Sequence, residues 1–173
     1  MLISSKWIKH LVAVQFCVAA VLLFSPENLG AEMEVVIDRA VTIECLKAHL
    51  RSLTVEIGER SIERPGNLKR AEEYIASFYS DIDVSVRTEP YLCRDLTVAN
   101  VVAEIKFKEN PSRHFLLGAH YDSVSGTVGA DDNGSAVAVQ LETARYLASL
   151  KNSQNLDLSV KFVSFTLEEP PFF

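Results

Sequence analysis

The order of hydrophobic and polar positions predicts helices and strands that alternate through most of the chain. Apolar residues recur at helical spacing in residues 34–53, 67–78 and 133–150, which predicts three amphipathic helices with one buried face each. Stretches that alternate, or that are rich in β-branched and aromatic residues, predict four strands. These strands cover residues 83–89, 97–107, 113–119 and 158–167. The mixture predicts an α/β fold class.

The third strand, the third helix and the fourth strand follow one another as a βαβ unit. A helical crossover makes the two strands of such a unit parallel, with a right-handed connection. In parallel sheets of this kind, binding sites form beyond the carboxyl ends of the strands. The residues that follow 113–119 and 158–167 are therefore expected to meet at one end of the sheet.

A loop rich in carboxylates follows the third predicted strand. It carries His120, Asp122, Asp131 and Asp132. Holding these groups close together is costly unless a cation lies among them. A combination of imidazole and carboxylate ligands favours zinc over calcium. The loop therefore indicates a divalent-metal site.

An acidic pair, Glu168 and Glu169, follows the fourth predicted strand, at the end of the sheet where the loop begins. Because neighbouring strands lie about 4.8 Å apart, the side chains at both ends are within reach of a shared ion. One glutamate of the pair can bind metal while the other accepts a proton from water. Asp122 can hold the second nitrogen of the His120 imidazole, and Asp131 has two oxygens with which to bridge two metal ions.

Composition limits the other classes of function. The chain has 173 residues, 48% of them hydrophobic, and a net charge of -6. These values fit one globular domain and argue against a general nucleic-acid binder. Beyond the N-terminal segment the cysteines are Cys45 and Cys93, which can pair in an exported protein or stay as buried free thiols.

The N-terminal segment has the order of features found in signal peptides. Lys6 and Lys9 precede an apolar stretch, residues 11–24, that is shorter than the roughly 20 residues of a membrane span. Small residues at 29–31 offer a cleavage site. We therefore expect a signal peptide over residues 1–31 and an exported protein, periplasmic or extracellular. The alternative is an uncleaved segment that anchors the protein to a membrane.

Two sequence blocks, GAHYDSVSGTVGADDNGSAVAVQLETARYL and KFVSFTLEE, carry a family resemblance. They resemble the secreted di-zinc aminopeptidases, the family of bacterial leucyl aminopeptidases and carboxypeptidase Q-like enzymes, and the similarity covers residues 57–169. The resemblance implies a three-layer α/β sandwich with a mixed, largely parallel sheet and helices on both faces. It also implies a zinc-dependent exopeptidase with a peptide substrate and no stable membrane association after signal cleavage.

The resemblance assigns roles to individual residues. By it, His120 binds one zinc ion, Asp131 bridges two and Glu169 binds the other. Glu168 is the general base, and Asp122 orients His120. The ligand atoms of the three metal-binding residues are expected within about 5 Å of one another. A cis peptide bond is expected between Asp131 and the following aspartate.

The chain departs from the family pattern after Glu169, since a further Asp and a His of the family lie downstream of that position. We therefore expect residues 32–173 to be the N-terminal part of a zinc peptidase catalytic domain, truncated at the C-terminus. Each zinc ion would then have two protein ligands where a catalytic site normally has three. The chain as written is expected to be inactive.

Other functions remain as alternatives. A catalytically inactive remnant and a glutaminyl-cyclase-like acyl transferase both fit the same fold. A calcium loop is disfavoured because Ala136 stands where an EF-hand needs glycine. A serine hydrolase is disfavoured because the chain lacks a GxSxG motif. The choice between aminopeptidase and carboxypeptidase stays open.

Overall fold

The computed structural model describes residues 38–170, so the predicted signal peptide lies outside the described residues. Three helices and four strands follow in the expected order, with a π-helical turn at Ser52–Ile57 and a kinked turn at Ala130–Gly134. The elements are α1 (Arg39–Arg51), α2 (Pro65–Asp81), β1 (Ser85–Cys93), β2 (Leu96–Lys106), β3 (Arg113–His120), α3 (Ser135–Leu150) and β4 (Leu158–Phe165).

The four described strands form one mixed sheet in the order β1-β2-β4-β3. β3 and β4 are parallel, with His120 opposite Phe165, which confirms the predicted parallel pair. The other two pairings, β1 with β2 and β2 with β4, are antiparallel. The expected mixed sheet is confirmed, but within the described residues it is not largely parallel. The reason is that β1 and β2 form a hairpin, which can only pair antiparallel.

The described helices lie on one face of the sheet. Tyr79 of α2 packs against Phe162 of β4, and Gln140 of α3 accepts a hydrogen bond from Ser164 of the same strand. Phe162 and Ser164 are two residues apart, so their side chains point to the same face. The expectation of helices on both faces is therefore not met in residues 38–170, because a single crossover helix, α3, joins the one parallel pair.

The first helix is held to this layer by a buried histidine. His49 of α1 is hydrogen-bonded to the Tyr74 hydroxyl of α2 at 2.6 Å and to the Glu142 carboxylate of α3 at 3.1 Å.

Cys45 and Cys93 are both free thiols. No helix of the described part is long and apolar enough to cross a bilayer.

One buried side chain fixes α3 over the carboxyl ends of the parallel strands. The amide of Gln140 donates to the carbonyls of Leu117 in β3 and Val163 in β4, at 3.0 and 3.1 Å. Its oxygen accepts the Ser164 hydroxyl at 2.6 Å. These three bonds satisfy buried polar groups that would be costly to leave unpaired. They also join the two strands whose ends carry the candidate site.

Candidate metal centre

Three potential metal ligands meet beyond the carboxyl ends of β3 and β4. His120, Asp132 and Glu169 each offer one ligand atom, and these atoms all lie within 4.8 Å of one another. His120 Nε2 lies 3.0 Å from Asp132 Oδ1. His120 and Glu169 are buried, whereas Asp132 is exposed. The predicted meeting of the β3 end with the acidic pair after β4 is therefore found.

Asp132, and not Asp131, completes this group, so the structure does not bring Asp131 together with His120 and Glu169 in the way the sequence predicts. Asp131 is exposed, and its backbone carbonyl accepts the Ser135 hydroxyl at 2.8 Å in the first turn of α3. Asp132 has a non-helical backbone, with φ -111° and ψ 96°. The cis peptide bond also lies one residue later than expected, between Asp132 and Asn133. Spacing alone gives no signal that separates two adjacent aspartates.

Asp122 lies behind His120, where the sequence placed it. Its Oδ1 is 3.5 Å from His120 Nδ1, and its Oδ2 accepts the backbone N–H of Glu169 at 3.0 Å. The side chain is almost completely buried, at 2% exposure. Asp122 thus contacts both arms of the group, the imidazole that ends β3 and the backbone that follows β4.

Glu168 lies at the open side of the group. Its Oε2 is 3.6 Å from His120 Nε2, and 56% of its side chain is exposed. Glu169, by contrast, is buried. The two glutamates of the acidic pair therefore have different surroundings, one facing solvent and one facing the protein. This difference fits a general-base role for Glu168 and a metal-ligand role for Glu169.

Three buried polar atoms of this region have no hydrogen-bond partner. They are Nδ1 of His120, Oδ1 of Asp122 and Oε1 of Glu169. Buried polar atoms are nearly always paired in native proteins, so each exception needs an explanation. Nδ1 and Oδ1 face each other, but the Glu169 oxygen faces no donor. A cation beside Glu169 would satisfy it, and one imidazole with two carboxylates is a donor set that zinc accepts. The residues present therefore fit a zinc ion.

The electrostatics of the group show the same excess of negative charge. Burial by itself lowers the pKa of His120, but the Asp122 carboxylate 3.5 Å away, followed by Glu168 and Asp132, outweighs burial and raises the pKa to about 9. Burial, together with the charge of Asp132, raises the pKa of Glu169. Both shifts are those expected where carboxylates crowd around one imidazole.

The calcium-loop alternative has no support in this geometry. Glu142, which would be the last ligand of an EF-hand loop, is hydrogen-bonded to His49 and Arg145. The segment before Asp131 is a strand and a loop where an EF-hand has a helix.

Comparison with known proteins agrees with the family resemblance. Residues 100–172 match the family model described as Peptidase family M28. This part of the chain therefore carries the sequence pattern of peptidase family M28. Its sequence is 34% identical to YfbL of Escherichia coli over 143 residues, which cover 78% of this chain and 42% of YfbL. It is 47% identical to the aminopeptidase YwaD of Bacillus subtilis over 51 residues, which cover 30% of this chain and 10% of YwaD. The chain thus spans less than half the length of these relatives.

Solved structures with the same fold include peptidases and cyclases. The chain matches BSAP, a zinc aminopeptidase from Bacillus subtilis, with a TM-score of 0.64 and 15% identity, over 73% of this chain and 62% of BSAP. It matches a glutaminyl cyclase from Porphyromonas gingivalis with a TM-score of 0.57 and 22% identity, over 73% of this chain and 44% of the cyclase. At these identities the likeness shows the α/β fold alone.

The raised pKa of His120 gives a prediction for the metal-free protein. A histidine whose pKa is about 9 when folded and 6.5 when unfolded stabilises the fold fully below about pH 6.5, and this contribution is lost as the pH rises through 9. We expect the free energy of unfolding of chelator-treated wild type to fall over this range relative to His120→Gln, measured by denaturant titration.

The same shift can be observed directly by NMR titration of the imidazole. Asp122→Asn should lower the pKa of His120, because Asp122 contributes most of the stabilisation of its charge. A His120 resonance that titrates near 6.5 in metal-free wild type would contradict the described electrostatics.

Proposed function

We propose that this protein is a zinc-dependent exopeptidase of the aminopeptidase type, which hydrolyses peptide bonds with a water nucleophile. The observation that carries the proposal is the convergence of His120, Asp132 and Glu169 beside Glu168. The match of residues 100–172 to a peptidase family supports the interpretation of this convergence as a site for peptide hydrolysis. The named relatives support the reaction class, since YwaD is an aminopeptidase and BSAP a zinc aminopeptidase.

In this proposal His120, Asp132 and Glu169 hold zinc. Three protein ligands are the usual number in a catalytic zinc site and leave a position open for substrate. All three are close enough together to serve a single ion. The family resemblance implies two ions, in which case Asp132 takes the bridging role expected of Asp131. The expectation of an inactive chain stays a prediction.

The neighbouring residues supply orientation and proton transfer. Zinc, when bound, supplies a Lewis acid that makes water a better nucleophile and polarises the scissile carbonyl. The Asp122 carboxylate, whose Oδ1 lies 3.5 Å from Nδ1 of His120, favours the tautomer with its proton on Nδ1 and so leaves Nε2 free to face the ligand group. Glu168, exposed and next to the group, accepts the proton that the attacking water loses. It can then return that proton to the departing amine.

We also propose that the protein is exported, with residues 1–31 removed as a signal peptide. The support is the sequence order of basic residues, a short apolar stretch and small residues. One relative is a vacuolar membrane protease of Schizosaccharomyces japonicus, 41% identical over 58 residues, so a membrane-anchored location is the competing proposal. Peptides are the proposed substrates in either location.

Adjacent aspartates provide a matched test of the metal ligands. Asp132→Asn should lose bound zinc, because it removes a charged ligand oxygen from the group. Asp131→Asn changes the same charge one residue earlier and should keep it. Zinc per chain, measured by atomic absorption after gel filtration, checks this. Loss of zinc in Asp131→Asn but not in Asp132→Asn would restore the assignment made from the sequence.

The acidic pair provides a test of the mechanism. Glu168→Gln in the native protein should keep its zinc and lose turnover by about 10²–10⁴-fold, since it removes only the general base. Glu169→Gln should lose zinc as well, because it removes a ligand. Hydrolysis of an aminoacyl anilide and cyclisation of an N-terminal glutaminyl peptide are measured side by side. Metal-dependent cyclisation without hydrolysis would contradict the proposed reaction.

A further inference from the structure

Arg60 is a buried cation close to the candidate metal centre. It lies between the π-helical turn after α1 and the start of α2, in residues 57–67, whose polar and charged sequence predicts a loop. Its side chain is nevertheless completely buried, at 0% exposure. Arginine is almost never fully buried unless its charge and its donors are satisfied. The burial of Arg60 therefore needs a reason.

The guanidinium of Arg60 binds the loop between the metal ligands at both ends. Nε donates to the carbonyl of Tyr121 at 2.6 Å, and Nη1 donates to that of Val128 at 2.7 Å. Nη2 donates to the carbonyl of Gly129 at 3.0 Å. Tyr121 directly follows His120, and Gly129 precedes the turn that carries Asp132. One planar group thus sets the separation of the two chain segments that hold these ligands.

Further bonds fix Arg60 itself. Nη1 also donates to the carbonyls of Leu53 and Gly58, at 2.9 and 3.0 Å, so the guanidinium is tied to the π-helical turn after α1. The Arg60 backbone N–H donates to the Ser123 hydroxyl at 3.0 Å. The side chain is therefore held on one side by the helical layer and on the other by the loop. Lysine cannot reproduce this, because its single ammonium lacks the planar fork of donors.

The loop approaches Arg60 so closely that only glycine fits at one position. A Cβ atom on Gly129 would lie 2.9 Å from Nη2 of Arg60 and 2.6 Å from the Ser123 Cβ. Gly129 also has a φ of 49°, in the left-handed region that favours glycine. The residue types at positions 60 and 129, which are far apart in the sequence, thus both suit the close contact between the Arg60 guanidinium and the loop.

The charge of Arg60 is not matched by a direct ion pair. No carboxylate of residues 38–170 lies within salt-bridge distance of it. Burial lowers the pKa of Arg60 to about 10, and the charge of Asp122 opposes that shift. A buried charge is seldom the best way to stabilise a fold, since apolar replacements are often neutral or stabilising. A contribution to overall stability alone does not account for this arginine.

We propose that Arg60 is a positioning residue for the metal centre: its guanidinium holds both ends of the 121–129 loop and thereby sets the affinity of the site for zinc. The inference rests on the proposed zinc binding by His120, Asp132 and Glu169. It assigns Arg60 no contact with substrate or metal. Its effect is exerted through the backbone that carries the ligands.

The test compares two arginine-to-lysine variants of the full chain. Arg60→Lys keeps the charge and loses the fork of donors. Arg145→Lys is the matched control, because Arg145 makes a similar forked contact with Glu142 on α3, away from the ligand group. Zinc affinity is measured by chelator competition well below the unfolding temperature. We expect the Kd for zinc to rise about 10–100-fold in Arg60→Lys, as for residues that support metal ligands indirectly, and to stay unchanged in Arg145→Lys.

Hydrogen exchange of the metal-free proteins supplies a second readout. The amide of Gly134, which donates to the carbonyl of Gly129 at 2.9 Å, should exchange faster in Arg60→Lys, with its neighbours in residues 121–134. The helices should keep wild-type exchange. Faster exchange spread evenly over the whole chain would overturn the proposal, since it would show only a loss of global stability.

The outcomes separate this inference from the proposed function. Wild-type zinc affinity in Arg60→Lys would overturn the inference and leave the function standing. Absence of zinc binding in wild type would overturn the proposed function, and hydrogen exchange would still decide whether Arg60 orders the loop. If Arg60→Lys does not fold, Ser123→Ala removes the bond to the Arg60 backbone instead. A smaller rise in the zinc Kd of Ser123→Ala would support the inference, and an unchanged Kd would overturn it.

Discussion

Four carboxylates surround one imidazole at the carboxyl ends of β3 and β4, and the rest of the structure serves to hold them together. Asp122, Asp132, Glu168 and Glu169 all lie near His120. Two carboxylates about 4 Å apart repel each other by roughly 4 kcal/mol at an effective dielectric constant near 20. In the metal-free protein a raised pKa keeps His120 charged and relieves part of this repulsion. A divalent cation among the ligands would relieve more, and proton binding and metal binding therefore compete.

Three sets of contacts in the fold hold these groups together against their repulsion. The parallel register of β3 and β4 brings the backbone around His120 and Phe165 side by side. Gln140 ties both strands to α3 through their backbone carbonyls. Arg60 fixes the loop that leaves β3, through carbonyls at both of its ends. Each of these contacts acts on the backbone, so the ligand side chains stay free to face the ion.

The sequence predicts this fold where the signal is local and periodic. The βαβ unit could be recognised because a helical period separates two apolar strands, and its topology brought Glu169 to His120. The choice of Asp132 over Asp131 depends on the backbone dihedral angles of one turn, which spacing does not encode. The burial of Arg60 could not be predicted from the sequence either, because an arginine in a polar segment has the pattern of a surface residue. The placement of the helices on one face follows from strand order, which no single segment determines.

The central claim is that one ion is shared by His120, Asp132 and Glu169. A zinc-loaded crystal measured on both sides of the zinc absorption edge tests it most directly, since the anomalous signal places the metal without reference to the protein. The account predicts a zinc peak about 2.0–2.2 Å from Nε2 of His120 and from a carboxylate oxygen of Asp132 and of Glu169. A zinc peak bound by Asp131, or one that contacts His120 without Glu169, would contradict it.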